Sequence, residues 1–150
     1  MTSKSGKNEK IIKHLLLNEG IFLIFCWASE TVLRSLEIFR VLAELSYLWT
    51  YWLPLILAYK RKYLIAIALT LGNIFGVIIG QSLGDLILVY EELYCDIDPK
   101  IFYGTMYHSG VFIWMVTMTV FGFTAYFVDR WIKKKGIRSE NRWLQFFLEP

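Results

Sequence analysis

The 150 residues are 56% apolar and 17% aromatic, with a mean hydropathy of +0.45, more oil than a soluble domain of this length covers with polar surface. The net charge of +3 comes from cations gathered at the ends of apolar runs, so it reads as a membrane topology signal and gives no support to nucleic-acid binding. A bilayer is the solvent this composition fits, and one membrane domain uses up nearly the whole chain.

In chain order, Lys4, Lys7, Lys10 and Lys13 precede a first apolar run at 15–33. No small-residue cleavage site of the A-x-A kind follows, so this segment is expected to stay as an uncleaved first helix. Glu30, Arg34, Glu37, Arg40 and Glu44 then alternate in sign at helical spacing. If helix continues through them they share one face and pair with one another. The second run, 41–59, contains Pro54, which is expected to kink it or mark a local break. Lys60, Arg61 and Lys62 separate it from the third run, 63–90. The acidic connector from Glu91 to Asp98 carries no cation, and the fourth run, 101–131, ends among Arg130, Lys133, Lys134, Lys135 and Arg138. After Gly136, segment 137–150 mixes charge with Trp143, Phe146 and Phe147, the composition of a short helix lying in the membrane interface or of a disordered tail.

A spanning helix needs about 20 mostly apolar residues, so the expected fold is all-α, a bundle of four transmembrane helices. Cations cluster before the first run, between the second and third, and after the fourth. By the positive-inside rule both termini are cytoplasmic and the protein sits in the cell membrane. Tyr59, Tyr63 and Trp131 fall at the inner boundary, while Trp49, Tyr90, Tyr94, Tyr103 and Tyr107 lie toward the outer half, as interfacial anchors do. Cys26 and Cys95 match no metal or redox spacing and are expected to be free thiols.

The third run carries Ala68, Gly72, Gly76, Gly80 and Gly84, five small residues four apart. Each step turns by about 40° along a helix, giving a slowly winding groove where another backbone can approach closely. Helix packing, within the chain or between copies, is the expected use. Asn73 lies on that same face, about 15 Å from the inner boundary and so near the midplane; Gln81 and Asp85, about 27 Å and 33 Å in, look toward a neighbouring sector.

The same rise places Glu30 about 26 Å, Glu44 about 24 Å and His108 about 35 Å from the inner side. Glu30, Glu44, Gln81, Asp85 and His108 thus form a candidate outer polar layer. It is expected either to line an outward-facing cavity for an ion or small polar solute, in a transporter or channel component, or to be structural, in a non-transporting accessory, immunity or assembly protein. A four-helix chain is small to enclose a pathway alone, so a homo-oligomer or a membrane partner subunit is expected in addition to the lipid bilayer.

Enzyme chemistry is not expected. Ser82, Ser109, Cys95 and His108 sit near the outer side without a frame that sets a base beside a nucleophile. No nucleotide-binding glycine loop occurs, and His108 with its acidic neighbours has no metal-ligand spacing, so no cofactor or metal is expected.

Overall fold

A computed structural model describes residues 3–31, 49–95, 109–136 and 145–147. Almost all of them are helical: α1 (Ser3–Thr31), α2 (Trp49–Tyr59), α3 (Tyr63–Cys95) and α4 (Ser109–Lys135), with a single helical turn at 145–147.

Three of these helices, α1, α3 and α4, are long and apolar enough to cross a membrane. α2 is described over 11 residues, about 16 Å of rise, short of a crossing by itself; residues 41–48 of the expected second span lie outside the described residues. So do 101–108 of the fourth span and the charged stretch from Arg34 to Glu44.

Helix and apolar run do not share boundaries. α1 starts twelve residues before the run expected at 15 because Lys and Glu propagate helix well, and the Lys13 ammonium meets the Glu9 carboxylate 2.6 Å away, one turn earlier. α3 likewise continues past Tyr90 through Glu91 and Glu92 to Cys95. Hydropathy marks the part of a helix that sits in lipid, whereas backbone hydrogen bonding carries the helix beyond it. Pro54 does not break α2: helix is continuous through it, with the Pro54 ring buried.

The α2–α3 corner is closed by backbone hydrogen bonds from Lys62 N–H to the Leu57 carbonyl and from Arg61 N–H to the Ala58 carbonyl, 2.9 and 3.0 Å long. This is the paired-bond cap that places one residue in the left-handed region, and Arg61 takes it, at φ 60°. α4 ends in the more usual way, on Gly136 at φ 61°.

Contacts fix the directions of the helices. His14, Asn18 and Phe25 of α1 meet Tyr63, Thr70 and the Val77 cluster of α3 in ascending order, so α1 and α3 run parallel. Along α4 the order reverses: a Cβ on Gly122 would meet Leu69, one on Gly72 would meet Phe121, and one on Gly76 would meet Trp114. α4 is therefore antiparallel to α3, as is α2, which the tight corner folds back. α3 is the central helix: 56% of its apolar span is buried, against 17% for α1 and for α4. Phe25, Val77, Val111 and Trp114 form one core cluster, and Ile65, Leu69 and Ala125 another, against which Leu53 and Leu57 of α2 pack. On the outside, Leu16, Ile24, Trp27, Leu86, Phe112, Phe123 and Phe127 are exposed. Large side chains in such number are stable on a surface only when that surface faces hydrocarbon.

Candidate functional site

Three groups of polar side chains are spread from one end of α3 to the other; apart from them, Thr50 and the Tyr51 hydroxyl are buried on α2. In the C-terminal half of α3, the Gln81 amide donates to both carboxylate oxygens of Asp85, at 2.8 and 2.9 Å. The two are one helical turn apart, and a charge-assisted bond forms readily across such a turn. Gln81 is buried and Asp85 is exposed. The other members of the expected outer layer cannot be joined to this pair: Glu30 is in α1 but its side chain, like all of Glu44 and His108, lies outside the described residues.

Near the midplane, the Trp114 indole N–H of α4 donates to Asn73 Oδ1 at 3.2 Å. Trp114 is wholly buried and Asn73 nearly so, at 1% exposure. The Trp114 ring lies against Gly76, where a Cβ would come within 2.8 Å of Cδ1. Asn73 and Gly76 thus act together, one anchoring the indole and the other making room for it. Gly72 faces Phe121 and Met118 of α4 in the same way, at 2.8 and 3.3 Å from a hypothetical Cβ. Gly80 and Gly84 are buried on the continuation of this helix, and Ala68 is half-buried nearer the inner end.

The third group was not singled out from the sequence. His14 is fully buried, stacked between the rings of Tyr63 and Phe146 at centroid distances of 3.8 and 4.0 Å, with Phe147 edge-on. His14 Nε2 lies 2.8 Å from the Phe146 carbonyl oxygen, so it must carry the proton it donates there. One turn on, Asn18 is buried too. Its amide donates to the His14 carbonyl at 2.7 Å, and its Oδ1 lies 2.6 Å from the Thr70 hydroxyl of α3. That hydroxyl is also 3.2 Å from the Ala66 carbonyl; its single proton goes to the nearer acceptor, Asn18. Lys10 completes the cluster, its ammonium donating to the Gln145 carbonyl at 3.2 Å and lying 5.3 Å from the Tyr63 ring centroid.

These contacts tie the chain's two ends to the start of α3. The turn at 145–147 is held through the backbone carbonyls of Gln145 and Phe146 and the rings of Phe146 and Phe147, so the docking depends on Lys10 and His14 on one side and on the two phenylalanines on the other. Two signals for this group are present in the sequence. His14 and Asn18 are one turn apart at the entrance to an apolar run, and Asn18 lies within that run, where an amide needs a partner. What the sequence could not supply is the partner, since Thr70 is 52 positions away and Phe146 is farther still.

The polar pairs answer a demand of the bilayer. In hydrocarbon an unpaired amide or indole N–H is costly; one pair between α1 and α3 and another between α3 and α4 meet part of that demand, while the Asn73 amide nitrogen, the Tyr51 hydroxyl and His14 Nδ1 are buried without a hydrogen-bond partner among the described residues. Measured interhelical hydrogen bonds in membranes contribute on average about 0.6 kcal/mol, so the pairs align the helices more than they hold them together. Between the lower halves of α3 and α4 there is a cavity of about 290 Å³ lined by Leu64, Ala68, Val120, Phe121, Thr124, Ala125 and Val128, nearly all apolar.

No protein-family model, curated protein or solved structure matches this chain.

Proposed function

We propose that the chain is a four-pass protein of the cell membrane, with both termini in the cytoplasm, that serves as a non-catalytic accessory or assembly subunit and does not form a pathway of its own. The support for four passes is directional. α1 and α3 run parallel, so the chain must come back across the bundle between them, and α2 is the inner half of that return leg. The three cationic clusters belong to the end of the bundle where Lys10, the Lys60–Lys62 corner and the 145–147 turn lie, the end that the positive-inside rule assigns to the cytoplasm.

The observation that carries the accessory reading is the mutual pairing of the polar groups. Asn18 pairs with Thr70, Asn73 Oδ1 with the Trp114 indole, and Gln81 with Asp85, and the Asn73 amide nitrogen and Tyr51 hydroxyl are left as buried groups without a partner among the described residues. Trp114, Val77 and Ala58 are wholly buried in the interior between them. Polar residues used in this way hold helices in register. Extensive apolar surface on α1, α4 and the outer half of α3 is left for lipid or for another membrane protein.

A second reading, a component of a transporter or channel for an ion or small polar solute, is favoured by the exposed Asp85 carboxylate at the outer rim. Reconstitution separates the two. The accessory reading expects the purified chain in liposomes to pass protons, sodium and potassium no faster than empty vesicles. A flux that vanishes in Asp85→Asn, at unchanged protein level and helicity, would reject it in favour of transport.

A further inference from the structure

We propose that the cavity between the lower halves of α3 and α4 is a binding site for one acyl chain of an anionic phospholipid, whose headgroup is held by the cations at the inner ends of the same two helices. The shape of the cavity comes first. Leu64 and Ala68 form one wall and Val120, Phe121, Thr124 and Val128 the other, with Ala125 between. Val120 and Val128 are exposed, at 55% and 41%, so the cavity opens sideways to the bilayer. From Val120 to Val128 it runs about 12 Å along the helix axis, entirely within the inner leaflet in the orientation proposed above. A cleft with a nearly unbroken apolar lining, open to hydrocarbon at that depth, takes a lipid tail.

The charge at its inner mouth selects the headgroup. Arg61 and Lys62, both exposed, stand immediately before the first residues of α3. On α4, Lys135 lies seven residues beyond Val128, within about 20° of it around the helix and about 10 Å farther toward the inner surface. The Lys135 ammonium is 4.6 Å from the Trp131 ring centroid, and Trp131 marks the interface level. The acidic side chain close by, Asp129, is bonded to Lys133 at 2.7 Å, which leaves Arg61, Lys62 and Lys135 unopposed by it. Cations near a membrane surface attract anionic lipids. The pattern of an apolar slot between helices beneath a basic inner rim is the one that recognises a phosphodiester headgroup carrying net negative charge.

This inference rests on the membrane topology proposed above. The test uses the full chain purified in detergent, with phosphatidylglycerol or phosphatidylcholine of identical acyl chains added, and native mass spectrometry to count retained lipids and copies of the chain. The expected result is one phosphatidylglycerol retained per chain at about tenfold higher occupancy than phosphatidylcholine. The preference should fall to parity in the double variant Lys62→Gln with Lys135→Gln, and retention of either lipid should fall in Ala68→Phe or, as an independent filling of the slot, Thr124→Leu. Equal retention of the two lipids by the unaltered chain would overturn the proposal, and so would full retention by both slot-filling variants. A dimer without lipid, whose interface the slot-filling variants disrupt, would also overturn it and assign the slot to a second copy. Alkaline carbonate extraction of the same chain from membranes keeps the two readings apart: a chain that resists extraction but shows no lipid preference rejects the lipid site alone.

Discussion

His14 shows how a single side chain can join distant parts of a membrane chain. Its ring has Tyr63 on one face and Phe146 on the other, and its Nε2–H donates to a backbone carbonyl of the tail. Stacking and hydrogen bonding separate by substitution. Phe in place of His14 retains the stacked faces and loses the donor, leaving the Phe146 carbonyl without it; Ala loses both. His14→Ala is therefore expected to undock the turn at 145–147 and raise amide hydrogen exchange there to the rate of an open chain, whereas His14→Phe raises it partway, because aromatic stacking of this kind contributes about 0.5–1.5 kcal/mol. Equal protection of 145–147 in all three proteins, read by exchange and mass spectrometry in detergent micelles, would dissociate His14 from the docking. Asn73 and Trp114 differ in that they bond within the bundle, side chain to side chain, so loss of either strands the other in hydrocarbon.

At the scale of elements, the α3–α4 contact is set by where side chains are missing. Gly72 and Gly76 sit against Phe121 and Trp114 so closely that even a Cβ would need backbone or ring to move. Gly20 of α1 has nothing within 4 Å of its hypothetical Cβ. The expected outcome is a contrast between positions of equal chemistry. Gly76→Leu and Gly72→Leu each lower thermal stability in detergent by several degrees, on the order of 1–3 kcal/mol for overpacking, and Gly20→Leu leaves it unchanged or raises it, since glycine costs a helix about 1 kcal/mol relative to good helix formers. A melting curve that moves alike in all three variants would reject the assignment of the close face. The corner between α2 and α3 follows the opposite rule. There the backbone needs a positive φ, and the chain supplies Arg61 where glycine is customary; a cation that serves as a topology signal in the orientation proposed above occupies the position a lower-energy turn would give to glycine.

For the whole molecule, the contacts of Lys10 and His14 with 145–147 bring the start of α1 beside that turn, which agrees with the proposal that both ends share one side of the membrane. The sign of that side comes from the cations. Reporter domains that are active only in the cytoplasm or only outside, fused after residue 150, are expected to report the cytoplasm, and a cysteine labelled by an impermeant reagent at the N-terminus is expected to react only after the membrane is opened. Labelling of intact cells at the N-terminus with a cytoplasmic C-terminus would contradict the shared side and the parallel course of α1 and α3 with it. A bundle this thin presents α1 and α4 mostly to their surroundings. The surface it leaves to its surroundings is therefore larger than that of any site enclosed within one copy.

Membrane residence was legible in the sequence, because apolar run length and the clustering of cations are properties of segments that need no neighbour to interpret. The small-residue spacing on the third run is likewise a property of one helix, but what packs against it is not: the close approach of Phe121 and Trp114 to Gly72 and Gly76 comes from a separate helix, α4. The ends of the helices were not legible, since hydropathy reports the solvent and hydrogen bonding carries α1 and α3 beyond it. Nor was the His14 cluster: nothing local to residues 14–18 names Thr70 or Phe146 as their partners, and the choice depends on α1 running parallel to α3 with the tail folded back beneath them. The expected outer layer illustrates the same limit from the other direction. Equal height along separate helices put Gln81 and Asp85 beside Glu30, Glu44 and His108, but only Gln81 and Asp85, one turn apart on a single helix, had their adjacency determined by the sequence. Whether side chains on different helices meet depends on rotation and packing, which a single helix's periodicity does not contain and which tertiary structure alone decides.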